Sequence, residues 1–86
     1  MPQNYVSITI PSDQRMFAIQ GLEKLTAREK EILQGVVNSK TSKEIARHHG
    51  ISYRTVETHK SNVMLKMGLH STIEIFRVLY VLSNED

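Results

Sequence analysis

Apolar residues recur at helical spacing along most of the chain, in stretches separated by short polar or glycine-containing turns. Spacings of three and four residues place them on one face of a helix, so the pattern predicts an all-α domain. Four helices are predicted, over about Ala27–Asn38, Ser42–His49, Tyr53–Met67 and Thr72–Leu82. The residues predicted to face the core in the first three are Ile32, Leu33, Val36, Val37, Ile45, Ala46, Val56, Val63 and Met67.

Polar residues mark where these helices begin and end. In a capping box, S/T-x-x-E, a hydroxyl and a carboxylate satisfy free backbone amides at a helix start. The chain has three such pairs, Thr26 with Glu29, Thr41 with Glu44, and Ser71 with Glu74. Ser52 is suited to cap the remaining helix, and Gly68 is placed to end it in the left-handed conformation.

The N-terminal residues follow a different pattern. Residues 1–21 are predicted to be an extension or linker, and residues 22–86 the helical domain. Tyr5–Ile10 alternates as a strand does, Pro11 ends it, and Ser12 is placed to cap a short turn of helix. A single strand is not stable alone, so this extended segment must pair with another chain, pack on the helices or belong to a longer protein.

Length and composition exclude several classes of function. With 86 residues and no cysteine, the chain suits one small domain without disulfides or thiolate metal sites. No apolar run reaches the length of a membrane span, and no signal peptide opens the chain, so we expect a cytoplasmic protein. There is no glycine-rich phosphate loop and too little chain to build a pocket, so no enzyme activity is expected. The spacings of His48, His49, His59 and His70 match no zinc pattern, and no metal or other cofactor is predicted.

Positive charge is concentrated in the helical part of the chain. Between residues 23 and 80, ten Lys and Arg stand against six Asp and Glu, a balance of +4, whereas the whole chain carries +2. A basic body fits a polyanionic partner such as nucleic acid. The signal is weak alone, because many small domains without such a partner carry similar charge.

Three residues lie at the spacing of a helix-turn-helix. Ala46 is small enough for two helices to cross closely, Gly50 suits the left-handed turn between them, and Val56 points into the shared core. The outward face of the following helix suits the major groove of DNA because it carries donors, acceptors and positive charge. Its residues are Tyr53, Arg54, Glu57, Thr58, Ser61 and Asn62.

These residues belong to a longer pattern of blocks that keep their mutual spacing. The blocks are LTAREKEIL at Leu25–Leu33, SKEIA at Ser42–Ala46, IS at Ile51–Ser52, TVETHKSNVMLKMGL at Thr55–Leu69, and the helix start at Ser71. The chain thus resembles the LuxR-type (GerE-like) helix-turn-helix DNA-binding domain of NarL/FixJ-type response regulators and stand-alone regulators. The resemblance implies a four-helix domain of a sequence-specific transcriptional regulator, either stand-alone or the C-terminal effector domain of a longer protein.

The resemblance also assigns residues to DNA. It puts Glu57, Thr58 and Ser61 at base-facing positions, where the Glu57 carboxylate would accept from cytosine N4. The positions that meet or lie near the DNA backbone hold Ser42, Lys43, Arg54, Thr55, His59 and Lys66. Lys60 can reach phosphates from the same helix. The chain departs from many members at Glu57, where they have Lys, and at Ser39–Thr41, where they have a small residue and glycine.

The last predicted helix has more apolar residues than one buried stripe needs. The surplus is covered either by the N-terminal segment or by a second copy, and the resemblance favours a homodimer through this helix. The expected interface residues are Ile75, Val78, Leu79 and Leu82. A two-fold dimer requires an inverted-repeat operator. RNA polymerase is a further candidate partner, and DNA binding would associate the protein with the nucleoid.

Two alternative functions stay open. Region 4 of a sigma factor also uses a helix-turn-helix, although the apolar last helix argues against it. A helix-turn-helix module could also bind another regulator instead of DNA. Such a module would show no salt-dependent binding to duplex DNA, whereas a DNA-binding domain would.

Overall fold

The computed structural model describes the backbone of residues 12–83 and the side chains of residues 13–80. Within that range every regular element is an α-helix, which confirms the all-α prediction. The five helices are α1 (Ser12–Lys24), α2 (Ala27–Val37), α3 (Ser42–His49), α4 (Tyr53–Met67) and α5 (Thr72–Ser83). The strand predicted at Tyr5–Ile10 lies outside the described residues.

Capping boxes start α2 and α3 as predicted. At α2, the Glu29 amide donates to Thr26 Oγ1 at 3.1 Å, and the Thr26 amide donates to Glu29 Oε1 at 2.9 Å. At α3, Thr41 and Glu44 repeat both bonds at 3.1 and 2.8 Å. Ser52 caps α4 by accepting from the Thr55 amide. These contacts fix the phase at which each helix begins, and so which side chains face inward.

The third predicted capping box differs from the other two. The Glu74 amide contacts Ser71 Oγ at 3.4 Å, but the Glu74 carboxylate accepts from the backbone amide of His70 and not from that of Ser71. The carboxylate therefore stabilises the turn before α5 one residue earlier than expected.

Helix α4 lies at the centre of the domain and packs against α1, α2 and α3. Its buried residues belong to two separate core clusters. Val56 joins Ile32, Val36, Ile45 and Ala46, which α2 and α3 supply. Val63 and Met67 join a second cluster, completed by Ala18, Leu25, Leu33, Leu69, Ile75 and Val78. The inner face of α4 thus connects the helix-turn-helix to the rest of the domain.

The turn between α3 and α4 has the predicted geometry. Gly50 has a φ of 65°, and the Ile51 amide donates back to the Ala46 carbonyl at 3.0 Å. Ala46 is 7% exposed and Val56 fully buried, so the two helices cross closely around small and branched side chains. Gly68 ends α4 in the same way, with a φ of 69°.

Helix α1 is longer than the short turn predicted at its position, and it packs on α4. Ala18 is fully buried in the second cluster. A β-carbon at Gly21 would lie 2.2 Å from the Lys66 carbonyl oxygen, so only glycine allows this backbone approach. The boundary predicted between residues 21 and 22 falls inside α1. The sequence predicts only a short turn here because the apolar residues of α1 form no clear stripe along one face.

The rotation of α5 differs from the one that the predicted dimer interface requires. Those of the expected interface residues that the structure describes point inward. Ile75 and Val78 are buried in the chain's own core, and Leu79 packs against the same cluster. They follow one inward stripe, so Ile75 and Val78 are not available to a second chain. The side chain of Leu82 lies outside the described residues. None of the described helices is long and apolar enough to cross a membrane.

The end of α2 differs from the prediction in two respects. Val37, predicted to be buried, is 37% exposed, because Val36 fills the inward position beside it. Ser39 has a φ of 62°. Its amide donates to the Val36 carbonyl and the Lys40 amide to the Gly35 carbonyl, the Schellman pattern that usually has glycine at this position. This chain therefore forms the turn with serine at a position that usually holds glycine.

Ser39→Gly should raise the free energy of unfolding by about 0.5–1 kcal/mol, because relief of the left-handed strain exceeds the added chain entropy. Gly50→Ala is the matched control with the opposite expected effect, a lower free energy of unfolding. The space around Gly50 is open, so the methyl group meets nothing and only the backbone penalty of about 1–2 kcal/mol applies. Urea unfolding monitored by circular dichroism measures both. Equal stabilities of Ser39→Gly and the wild type would show that Ser39 is unstrained.

Candidate nucleic-acid interface

The outward face of α4 is polar and accessible, as the sequence predicts. Arg54, Thr58, Ser61 and Asn62 are exposed, and Tyr53 is 52% exposed. They lie opposite the buried stripe of α4. Because two core clusters hold that stripe, the rotation of the helix, and with it the composition of the outward face, is fixed.

Glu57 is half-buried and is tied to its neighbours. Its Oε2 atom accepts a hydrogen bond from the Ser42 hydroxyl at the start of α3. Lys60 Nζ lies 3.5 Å from the same oxygen and donates to Ser42 Oγ at 3.0 Å. We call Ser42, Glu57 and Lys60 the interhelix cluster. It joins a predicted base-facing residue to two residues predicted to meet the DNA backbone.

The interhelix cluster favours the ionised form of Glu57. The hydrogen bond from Ser42 lowers the pKa of the Glu57 carboxyl, burial partly opposes that shift, and the positive charge of Lys60 adds to the lowering. An ionised carboxylate only accepts hydrogen bonds. At neutral pH this part of the surface therefore presents an acceptor and no carboxylic acid donor.

The ammonium group of Lys66, a residue predicted to lie near the DNA backbone, is paired with other groups of the same chain. Its Nζ donates to Glu29 Oε1 at 2.7 Å and contacts the Lys24 carbonyl at 3.4 Å. The Glu29 side chain is only 6% exposed, while that of Lys66 is 33% exposed. The ion pair joins the end of α4 to the start of α2. Sequence reasoning missed it because Glu29 was assigned to its capping box alone.

The other positions predicted near the DNA backbone differ in accessibility. Lys43, Arg54 and Thr55 are exposed, whereas Ser42 is buried. His59 is half-buried, and its Nδ1 atom is buried without a hydrogen-bond partner. The free cationic side chains on this side of α3 and α4 are thus Lys43 and Arg54, which among the described contacts have no ion pair.

Comparisons with known proteins identify the family of the chain. The family model of the luxR family of bacterial regulatory proteins (GerE) matches residues 23–79. That match covers more than half of the chain. The chain belongs to the luxR family. No solved structure matches it significantly.

Several regulators are similar to this luxR-family chain over part of their length. The response regulatory protein YgeK of Escherichia coli is 50% identical over 54 residues, which cover 63% of the chain and 37% of YgeK. TdiR of Thauera aromatica is 53% identical over 51 residues, 59% of the chain and 22% of TdiR. FixJ of Bradyrhizobium diazoefficiens is 39% identical over 54 residues, 63% of the chain and 26% of FixJ.

The chain therefore spans little more than a third of these relatives at most. The matched region comprises α2–α4, most of α5 and only the end of α1, so the helix-turn-helix lies inside it. TdiR and FixJ are both transcriptional regulatory proteins. Together with the family match, they support DNA-binding transcriptional regulation by this region.

A concave surface of the luxR-family domain lies away from the exposed face of α4. It is an open groove of about 710 Å³ between α2 and α3, although the length of the chain led us to expect no pocket. Its lining mixes acidic and basic groups, namely Glu31, Glu44, Lys40, Arg47, His48 and His49, with the further residues Gln34, Gly35, Asn38 and Ile45. Among the described residues no three His, Asp or Glu side chains are placed to hold a metal ion.

The Glu29–Lys66 pair should give the domain a specific acid sensitivity. The hydrogen bond from Lys66, and then that of the Thr26 amide, lower the pKa of Glu29 in the folded state. This stabilisation is present above the ordinary pKa of a glutamate and is lost as the pH falls through the lowered value. Lys66→Met should cost about 2–3 kcal/mol at neutral pH, and its stability should fall less steeply with acid than that of the wild type.

Arg28→Met is the control for Lys66→Met. It breaks an ion pair with Glu31 on the same helix α2, but both side chains are exposed, so its effect should stay below about 1 kcal/mol. Unfolding curves between neutral and acidic pH measure all three proteins. Equal losses for Arg28→Met and Lys66→Met would show that burial of Glu29 adds nothing to the pair.

Proposed function

We propose that this chain is the DNA-binding part of a bacterial transcriptional regulator that inserts α4 into the major groove of a specific operator. The observation that carries the proposal is the division of α4 into two faces. One face is buried in both core clusters, and the other exposes polar side chains beside the free charges of Lys43 and Arg54. A helix held in this way can lie in a groove about as wide as itself without loss of its packing.

The base contacts are proposed for Glu57, Thr58 and Ser61. Thr58 offers a methyl group to thymine and a hydroxyl to other base edges, and Ser61 offers a small hydroxyl one turn further along. Glu57 accepts from cytosine N4. Each good contact of this kind discriminates against a wrong base by about 1–3 kcal/mol.

The DNA backbone contacts are proposed mainly for Lys43, Arg54 and Thr55, which are exposed beside the base-facing side chains. Lys60 and Lys66 contribute less, because each is paired with a carboxylate of the chain. Ser42 and His59 lie at the same edge but are more buried. Such contacts fix the register of the protein on DNA and carry no sequence information.

A homodimer through α5 is proposed on a corrected set of residues. Ile73 is 74% exposed, Phe76 41% and Tyr80 55%, at helical spacing on the face opposite the buried stripe. An exposed apolar stripe of this kind marks a contact with another chain. Two-fold symmetry then requires an inverted-repeat operator, with the α4 helices about one helical turn of DNA apart.

The rest of the regulator's role follows from the DNA partner. The relatives are longer than this chain. We propose that it acts either alone or as the effector region of such a longer regulator. It would work at the nucleoid in the cytoplasm, with RNA polymerase as a second partner, and without catalytic activity. A module that binds another regulator instead of DNA is the alternative outcome of the salt experiment below.

The affinity for duplex DNA should fall steeply with salt, because Lys and Arg release counterions from the phosphates. Lys43→Gln and Arg54→Gln should each reduce the slope of log K against log salt by about 1. Lys30→Gln removes the same charge from the exposed surface of α2 and should leave the slope unchanged. Fluorescence anisotropy on duplex DNA of any sequence measures this. A flat response of the wild type would contradict DNA as the partner.

Phe76→Glu should weaken binding to an inverted-repeat operator by about tenfold or more, while binding to a half-site stays nearly constant, because a dimer contact raises avidity. Met16→Glu is the control, since it places the same charge at an exposed apolar residue of α1. Cooperative binding in gel-shift titrations is the measurement. Loss of cooperativity in Met16→Glu alone would move the dimer contact to the N-terminal part of the chain.

A further inference from the structure

The interhelix cluster leaves one carboxylate oxygen of Glu57 available. The Ser42 hydroxyl and Lys60 Nζ both contact Oε2, and among the described contacts none engages Oε1. Ser42 donates its single hydroxyl hydrogen to Glu57 and accepts from Lys60 at 3.0 Å. The three groups therefore satisfy one another at Oε2 and leave Oε1 as an unused acceptor.

This arrangement restricts a side chain that would otherwise be mobile. A glutamate on a helix surface has several rotatable bonds, and holding it in one conformation costs entropy on binding. Here folding itself restricts the Glu57 side chain, because its partner Ser42 lies on a different helix, α3, 15 positions earlier in the chain. The entropy is therefore lost on folding and not on DNA binding. The helix crossing that buries Ala46 and Val56 brings the two residues together.

We propose that Ser42 is a specificity-determining positioning residue, which holds Glu57 so that its free oxygen accepts a hydrogen bond from the exocyclic amino group of cytosine. This inference rests on the proposed function, the reading of DNA by α4. Ser42 itself does not touch the base. It acts through Glu57, and Lys60 forms the ion pair with the Glu57 carboxylate.

The burial of Ser42 separates this role from a phosphate contact. Only 9% of the residue is exposed, and its hydroxyl is directed at Glu57 and Lys60. A phosphate contact would contribute equally to every DNA sequence, whereas a positioning residue changes the preference at one base pair. The Lys60 cation in the cluster also favours the ionised form of Glu57 against the negative charge of nearby phosphates.

The first experiment is a selection of bound sequences from random duplexes with the wild type, Ser42→Ala, Ser42→Thr and Glu57→Gln. Ser42→Ala should lose preference for cytosine at the same base pair as Glu57→Gln, by roughly fivefold or more, and keep its preferences elsewhere. Ser42→Thr keeps the hydroxyl and should restore the preference. Ser71→Ala, a serine at the start of α5, is the control and should match the wild type.

Three results of the selection would overturn the inference. A uniform loss of affinity for all sequences in Ser42→Ala would make Ser42 a backbone contact. Unchanged preferences in Ser42→Ala would remove its role while leaving the proposed function intact. A wild type that selects no sequence at all would contradict the proposed function itself, and the inference with it.

The second experiment needs no DNA and remains informative about the cluster in every case. Carbon-13 NMR titration of the Glu57 carboxyl in the free protein should show its pKa rising towards the ordinary value in Ser42→Ala, because the hydrogen bond is the largest cause of the lowering. Lys60→Met should raise the pKa as well, by removing the positive charge. Thermal unfolding confirms that each variant is folded. An unchanged Glu57 pKa in folded Ser42→Ala would overturn the inference.

Discussion

Burial of one face of α4 is the interaction on which the rest of the structure depends. Val56, Val63 and Met67 are at most 1% exposed, and they join clusters built from all the other helices. A packed core tolerates little rotation of a helix, because its side chains interlock. The same packing that stabilises the domain therefore determines which polar side chains α4 presents to a partner.

Acidic residues decide how much positive charge is left for that partner. Glu29 pairs with Lys66, and Glu57 pairs with Lys60, so two lysines of α4 serve the structure of the chain. The charge counted along the sequence overstates the charge available to phosphates. The Glu29–Lys66 pair links α4 to the start of α2, where Glu29 also accepts from the Thr26 amide, so one carboxylate serves both capping and charge neutralisation. The Glu57–Lys60 pair lies within α4 and is joined to the start of α3 through Ser42.

Sequence reasoning succeeded where local chemistry fixes structure and failed where tertiary packing does. Thr26 with Glu29, and Gly50 in its left-handed turn, have roles that neighbouring residues set, and both were predicted. The rotation of α5 was not, since Ile73 and Ile75 are equally apolar and only the burial of Ile75 in the second cluster distinguishes them. The Glu29–Lys66 pair spans 37 positions, and the bond of Ser42 to Glu57 spans 15, so no local pattern contains either.

DNA binding by α4 is tested most directly by an NMR titration of the nitrogen-15-labelled chain with duplex DNA at low salt. If α4 binds DNA, amide shifts should change along its exposed face, at Arg54, Thr58 and Ser61, and at the start of α3. Shifts confined to the groove between α2 and α3, with the exposed face of α4 unaffected, would contradict it.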